Sequence, residues 1–397
     1  MQKTSLAPRI AIFTLIRMVL STAHRMVYPF LATFARGLGV DLATMSNIMT
    51  ARPLIGILGP LLATLTDKFG RKAGILAGVG LFTAAASLVL ISPTFPAFAA
   101  AVILITLGRY TFDVSLVSWL GDHIPFEKRG RVIAINEFSW SLAFILGVPL
   151  VGLLISRGSW NTPFLMFTLA GGAAFIVLLR LIPHEPAPAR PVEGEQTSMG
   201  AILRSPALLT ILASLSIGLF TCASNETISL VFGVWLEDSF GLQIAALGAA
   251  SAVIGIAELS GEGLVAAFVD RLGVARAIFI GLVVNSLAAL SLPWLGRTEV
   301  GAVAGLLVFY LSFEFALVSV YPLMTEVLPS ARGTIMALNM IVLALGRSLG
   351  AFVGPRLYAV SFESVAAGAV LFNLLALLGL WLSRKRKTSS EARVAVQ

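Results

Sequence analysis

Twelve long apolar runs decide the solvent in which this chain folds. They cover approximately 10–34, 44–66, 73–92, 97–120, 131–156, 162–182, 207–236, 245–268, 275–294, 300–326, 333–357 and 363–383. About 20 helical residues, rising 1.5 Å each, cross a hydrocarbon core near 30 Å thick. Lipid offers no partner for a backbone N–H or C=O, so a span is a helix or a strand of a closed barrel. These runs are too long for barrel strands and do not alternate polar with apolar. The chain is therefore predicted to be an all-α polytopic membrane protein with twelve transmembrane helices. Composition agrees, because only 12% of the residues are charged, against roughly a quarter in soluble domains.

The net charge of +8 would fit a nucleic-acid partner if the cations were clustered on one face. Their distribution points to a bilayer and excludes nucleic acid. With the N-terminus placed in the cytoplasm, Arg36, Arg157, Arg297 and Arg356 fall outside, and Arg17, Arg25, Arg52, Arg109 and Arg347 fall within spans. The rest of the 28 Lys and Arg lie on the cytoplasmic side, which is the positive-inside pattern. Both termini are expected in the cytoplasm of a bacterial inner membrane. The first run is too long, and too interrupted by Arg17 and Arg25, to be a cleaved signal peptide. Cys222 is the one cysteine, so no disulfide forms within the chain. The sequon Asn225-Glu226-Thr227 is intramembrane and is not expected to be glycosylated.

The spans divide six and six. The longest polar stretch between them is "PHEPAPARPVEGEQTSMG", rich in Pro and Glu and suited to a flexible connector. The predicted organisation is a six-helix bundle over 1–182, a cytoplasmic linker over 183–206, a second bundle over 207–387 and a cytoplasmic tail over 388–397. The halves repeat. "DHIPFEKRGRVIAIN" (122–136) matches "EVLPSARGTIMALN" (326–339), and "TDKFGRKAGIL" (66–76) matches "VDRLGVARAIF" (269–279). Asp67 and Asp270 stand 203 apart, Arg129 and Arg332 also 203, and Gly39 and Gly241 stand 202 apart. Duplication of this kind is common in transporter folds.

In this twelve-span setting the loop after span 2 resembles the signature of the major facilitator superfamily, Gly-x-Leu-Ala-Asp-Arg-x-Gly-Arg-Arg/Lys. Asp67, Lys68, Gly70, Arg71 and Lys72 occupy its positions, Ala63 stands at its first glycine, and Asp270, Arg271, Gly273 and Arg276 keep a weaker second copy. Gly70 permits the tight turn that such a loop needs. The resemblance implies that Asp67, Lys68, Gly70, Arg71, Lys72, Arg129, Asp270, Arg271 and Arg332 form cytoplasmic gating loops. These would latch the two halves when the protein is open to the outside.

The resemblance also implies a central cavity lined by spans 1, 4, 7 and 10, and those spans carry charges that lipid would penalise. An Arg or Asp at mid-membrane costs about 2.5–3.5 kcal/mol on insertion scales, so it persists where it faces a cavity or a partner. Span 1 places Arg17, Ser21, His24, Arg25 and Tyr28 near one helical face. Span 7 carries Asn225 and Glu226, with Glu226 at the repeat position of His24; span 4 carries Arg109 and Asp113, and span 10 carries Tyr310 and Glu314. The expected substrate and proton cavity comprises Arg17, His24, Arg25, Tyr28, Arg109, Asp113, Asn225, Glu226, Tyr310 and Glu314. Arg109 and Asp113, one turn apart, could instead simply satisfy each other. The family places a glycine where Asp113 stands in a span-4 motif linked to proton coupling.

Glu258 and Glu262, one turn apart in span 8, are candidates for protonation, because two close carboxylates cannot both ionise cheaply. Arg52, Glu137 and Arg347 read as ties between helices or between the two halves, not as substrate ligands. Gly346, Gly350 and Gly354 resemble a family motif found in antiporters, and close helix packing explains them equally well. No catalytic arrangement and no metal spacing is found among the three histidines. The expected protein is a secondary transporter that moves a small organic solute by alternating access. It would act as a monomer without a cofactor, and the proton gradient would drive efflux by antiport. The alternatives are proton symport or uniport of an organic anion, and a non-transporting membrane sensor or scaffold. Gating loops repeated in both halves argue against a static scaffold.

Overall fold

The computed structural model describes residues 6–183, 205, 207–328 and 331–394. Almost all of the expected linker and the last three residues lie outside that set. The described residues form sixteen α-helices and no strand. They are α1 (Leu6–Arg25), α2 (Leu31–Leu38), α3 (Leu42–Ala51), α4 (Gly59–Phe69), α5 (Arg71–Ile91), α6 (Phe95–His123), α7 (Phe126–Leu142) and α8 (Val148–Arg157). There follow α9 (Thr162–Leu181), α10 (Leu208–Ser229), α11 (Phe232–Phe240), α12 (Ile244–Leu272), α13 (Val274–Leu295), α14 (Glu299–Val327), α15 (Arg332–Tyr358) and α16 (Phe362–Val394).

Eleven stretches among the described residues are long and apolar enough to cross a membrane, from Leu42–Phe69 through Phe362–Lys385. The expected first span does not form one helix. It is α1, a turn over 26–30, and α2. Pro29 offers no N–H to continue the ladder and disfavours helical geometry at Tyr28, whose own N–H bonds only three residues back, to Arg25 O. Its repeat counterpart breaks at the same place: α10 ends at Ser229 and α11 starts at Phe232, with Val231 N–H bonding Ile228 O three residues back. No proline explains the second break.

Prolines shape two further spans. Arg52–Leu58 tightens into a 3-10 stretch between α3 and α4, where Pro53 lacks an N–H. Ala143–Gly147 widens into a π-turn between α7 and α8. Pro149 lies just beyond it, and its ring would clash with the Ile145 carbonyl in a regular helix. At the mouth of α3, Asp41 caps the helix by accepting from the Thr44 amide at 2.8 Å. Hydrogen bonds from Thr44 hold the Asp41 carboxyl below the usual carboxylate range, so the cap is present at neutral pH and is lost only as pH falls through that lowered value.

The repeat is legible in the backbone. The glycines with positive φ are Gly39 (67°), Gly70 (92°), Gly241 (61°) and Gly273 (80°), and no other described residue has positive φ. They form two pairs at the repeat spacing: Gly39 and Gly241 end α2 and α11, and Gly70 and Gly273 turn the chain from α4 to α5 and from α12 to α13. A side chain at any of the four would strain the turn.

Two compact units emerge from the packing. The first holds the described parts of Met1–Ile48, Leu58–Pro191 and Leu236–Ile256. Within it Phe34, Phe98, Trp160 and Phe164 stack edge to face, and Gly147 lets the π-turn rest on Thr22 of α1. The second holds Met49–Ile57, the described parts of Val192–Trp235, and Ala257 onward. Its core includes Ile211, Ile217, Ile278, Leu282, Ala316 and Val320. Asn373 donates to Asn285 Oδ1 at 2.8 Å, and Asn285 donates to Phe309 O at 2.7 Å, tying α16, α13 and α14 together.

In the second unit the row Gly346, Gly350 and Gly354 packs α15 directly on the α10 backbone. The nearest atoms are the carbonyls of Leu219, Ala223 and Thr227. Helices associate in lipid through such close backbone approach, since apolar burial alone does not draw them together. A Cβ at Gly350 would also lie 2.7 Å from Cβ of Glu226. Gly350→Leu is expected to destabilise the protein by about 1–3 kcal/mol through overpacking. Thermal unfolding in detergent measures this, and an unchanged midpoint would refute the packing role.

Candidate functional site

The first unit gathers the buried charges of three helices. Arg17 of α1 donates from Nε to Asp113 Oδ1 of α6 at 2.9 Å and from Nη2 to Glu137 Oε2 of α7 at 3.1 Å. Its Nη1 donates to Asn136 O at 2.8 Å and to Ser139 Oγ at 3.2 Å. Every nitrogen of the guanidinium is thus engaged. Asp113 uses its other oxygen to accept from Arg109 Nη1 at 3.0 Å. The sequence offered the Arg109–Asp113 pair as one alternative; the structure adds Arg17 as a second claimant on the same carboxylate. Two cations and two anions then cancel, with the Glu137 side chain 46% exposed and the Arg17 side chain 9% exposed. Glu137 is the inter-helix tie expected of it.

Arg25 is held differently. Its guanidinium lies 4.2 Å from the Trp140 ring centre and 3.6 Å from that of Phe144, and Nη1 donates to Trp140 O at 3.1 Å. Arg109 approaches the same Trp140 ring at 5.0 Å. A desolvated cation over an aromatic face gains about 2 kcal/mol or more. Trp140 therefore organises two arginines, and its place four residues before Phe144 and three after Glu137 is the only sequence signal that could have found it. His24 Nδ1 lies 3.3 Å from Thr106 Oγ1, whose single proton goes to Val102 O at 2.8 Å. Tyr28 stands in the turn beyond α1, away from the Arg17 end of this network.

The second unit builds an acidic counterpart. Glu226 on α10 is 2% exposed. One turn before it lies the buried Cys222, with Arg347 of α15, Glu226 and Glu314 near enough to act on it electrostatically. Gly261 of α12 packs on Glu314 of α14, its Cβ position 2.8 Å from Glu314 Cβ. That contact brings the helical turn bearing Glu258 and Glu262 beside Glu314. Tyr310 shares a 2.8 Å hydrogen bond with Ser229. Asn225 Oδ1 is buried and has no hydrogen-bond partner among the described residues. Glu226 and Glu258 are buried in this unit and Glu262 and Glu314 half-buried, and the same unit holds Arg347 and the fully buried Arg52.

The loop residues find partners close at hand. Arg71 pairs with Asp67, one turn before it, and with Asp122 at 3.0 Å, joining the start of α5 to the end of α6. Lys72 donates to Leu179 O at 2.8 Å, Arg129 to Gly121 O at 2.6 Å, and Arg332 to Thr325 O at 3.2 Å. Each of these three cations sits on carbonyls near a helix C-terminus, where positive charge is favoured. Lys68 lies 5.5 Å from the Phe69 ring, and Asp270 and Arg271 are exposed at the end of α12. Among the described residues no cluster of His, Cys, Asp and Glu could hold a metal.

Charged networks inside apolar helices, doubled by a repeat, have a counterpart among known proteins. The sequence profile of the Major Facilitator Superfamily matches residues 13–351. The chain belongs to the Major Facilitator Superfamily. It is 25% identical over 366 residues to the uncharacterized MFS-type transporter YwfA of Bacillus subtilis (strain 168), covering 90% of this chain and 86% of that one. It is 26% identical over 341 residues to a chloramphenicol resistance protein of Streptomyces lividans, covering 85% and 84%. In structure it resembles a bacterial homologue of the human lysosomal transporter Spinster, with a TM-score of 0.76 at 15% identity, covering 97% and 98% of the two chains. These relatives are transporters and not enzymes. This chain is accordingly a multi-pass membrane transporter with a small-molecule substrate, in contact with the lipid bilayer.

Proposed function

We propose that this transporter couples the export of a small organic solute to proton entry across a bacterial cytoplasmic membrane. It alternates access to its substrate as a twelve-span monomer with both termini in the cytoplasm. No cofactor is required, since the proton gradient supplies the energy. The observation that carries the reading is the acidic interior of the second unit, where Glu226 is 2% exposed within α10. Glu226, with Glu258, Glu262 and Glu314 in the same unit, is where the coupling proton is taken up and released, because carboxylates within a span mark proton and substrate paths. Ser229, Tyr310 and Asn225 supply polar contacts for a solute. A probable sugar efflux transporter of Helicobacter pylori (strain G27), 27% identical over 207 residues, favours export.

The anion-symport alternative drew on the cationic face of α1. On that face Arg17 is already paired with Asp113 and Glu137, and Arg25 is held by the rings of Trp140 and Phe144. Asp67, Lys68, Gly70, Arg71, Lys72, Arg129, Asp270, Arg271 and Arg332 serve the cytoplasmic gate. The test is flux in proteoliposomes under an imposed pH gradient, screening labelled cationic, neutral and anionic solutes. Accumulation of one solute that collapses with a protonophore is the expected result. Flux of that solute indifferent to the gradient would overturn proton coupling and leave uniport.

A further inference from the structure

We propose that the face where α13 meets α16 binds an anionic phospholipid. A groove of about 510 Å³ opens there. Arg276, in the first turn of α13, and Arg384 and Lys385, late in α16, line it together with Phe279, Leu380 and Trp381. The cations lie at one end, since Phe279 follows Arg276 by one turn and Trp381 precedes Arg384 by one turn. Polarity therefore changes along the groove, from a cationic mouth to an apolar floor. None of the described residues lining it is acidic.

This gradient matches a phospholipid and little else. Phe279 is 53% exposed and Trp381 56% exposed, so the floor is open to acyl chains. The Lys385 ammonium lies 4.9 Å from the Trp381 ring centre, which holds it at the apolar boundary. Tryptophan and lysine at the end of a span mark the headgroup level. The sequence extends the charge through Arg386 and Lys387, and basic clusters next to a span attract anionic headgroups. A free phosphate would use the mouth and gain nothing from the floor.

The full chain in mixed micelles with equal phosphatidylglycerol and phosphatidylcholine supplies the test, read by native mass spectrometry. Each cation near the headgroup contributes about fivefold, the equivalent of about 1 kcal/mol, so three give a preference for phosphatidylglycerol on the order of a hundredfold. The triple variant Arg276→Gln, Arg384→Gln, Lys385→Gln should lose most of that preference, keeping only what Arg386 and Lys387 supply. Its melting temperature checks folding, and the single variant Arg276→Gln, with a loss of about fivefold, serves should the triple fail to fold. Equal retention of the two lipids by the unaltered protein, or an undiminished preference in the variants, would overturn the site. Displacement of phosphatidylglycerol by an equal amount of inorganic phosphate would also overturn it, by assigning the groove to phosphate.

Discussion

Asp113→Ala is expected to cost this transporter about 3–5 kcal/mol, the usual loss when a buried ion pair is broken from one side. Asp113 receives Arg17 on one oxygen and Arg109 on the other. Arg17 would keep Glu137, Asn136 and Ser139. Among the described residues Arg109 would keep only the rings of Tyr110 and Trp140, each 5.0 Å away, and its Nε has no hydrogen-bond partner there. The damage therefore falls on Arg109. Removing that charge as well should restore much of the stability, so the double variant Arg109→Met, Asp113→Asn should melt well above Asp113→Ala. Thermal unfolding in detergent reads both. A double variant no more stable than the single would mean that Asp113 acts by packing and not by charge.

Glu226→Gln should reduce gradient-driven solute flux to the level of liposomes without protein, while leaving the melting temperature near that of the unaltered chain. Gln preserves the shape that packs against Gly350 and removes only the ionisable proton. Glu314→Gln, measured in parallel, separates the two acids that flank Cys222. A Glu226→Gln protein that still accumulates solute against its gradient would take Glu226 out of the coupling. The turn of α12 bearing Glu258 and Glu262, where Gly261 packs on Glu314, would then carry the coupling.

Much of this architecture is legible from local pattern. Apolar runs of span length demand helices in lipid, and the paired loops place Gly39, Gly70, Gly241 and Gly273 at turns, which is where the four positive φ angles occur. Intramembrane Arg17, Arg25, Arg109, Asp113, Glu226 and Glu314 announce themselves by their cost. The break after Arg25 was less visible, because an apolar run does not reveal where a single proline interrupts its ladder.

Partner choice belongs to the tertiary structure alone. Arg17 pairs with Asp113 and Glu137, 96 and 120 residues away, not with its neighbours on α1. Trp140 became important only once two arginines of other helices met its ring. The glycines of α15 were equally readable as an antiporter motif or as packing until α10 was found against them. The physical reason is common to all three. A soluble helix shows its buried side as an apolar stripe, but a helix in lipid is apolar all round. Its sequence records that it spans and which residues share a face; which helix that face meets is decided only when the bundle packs.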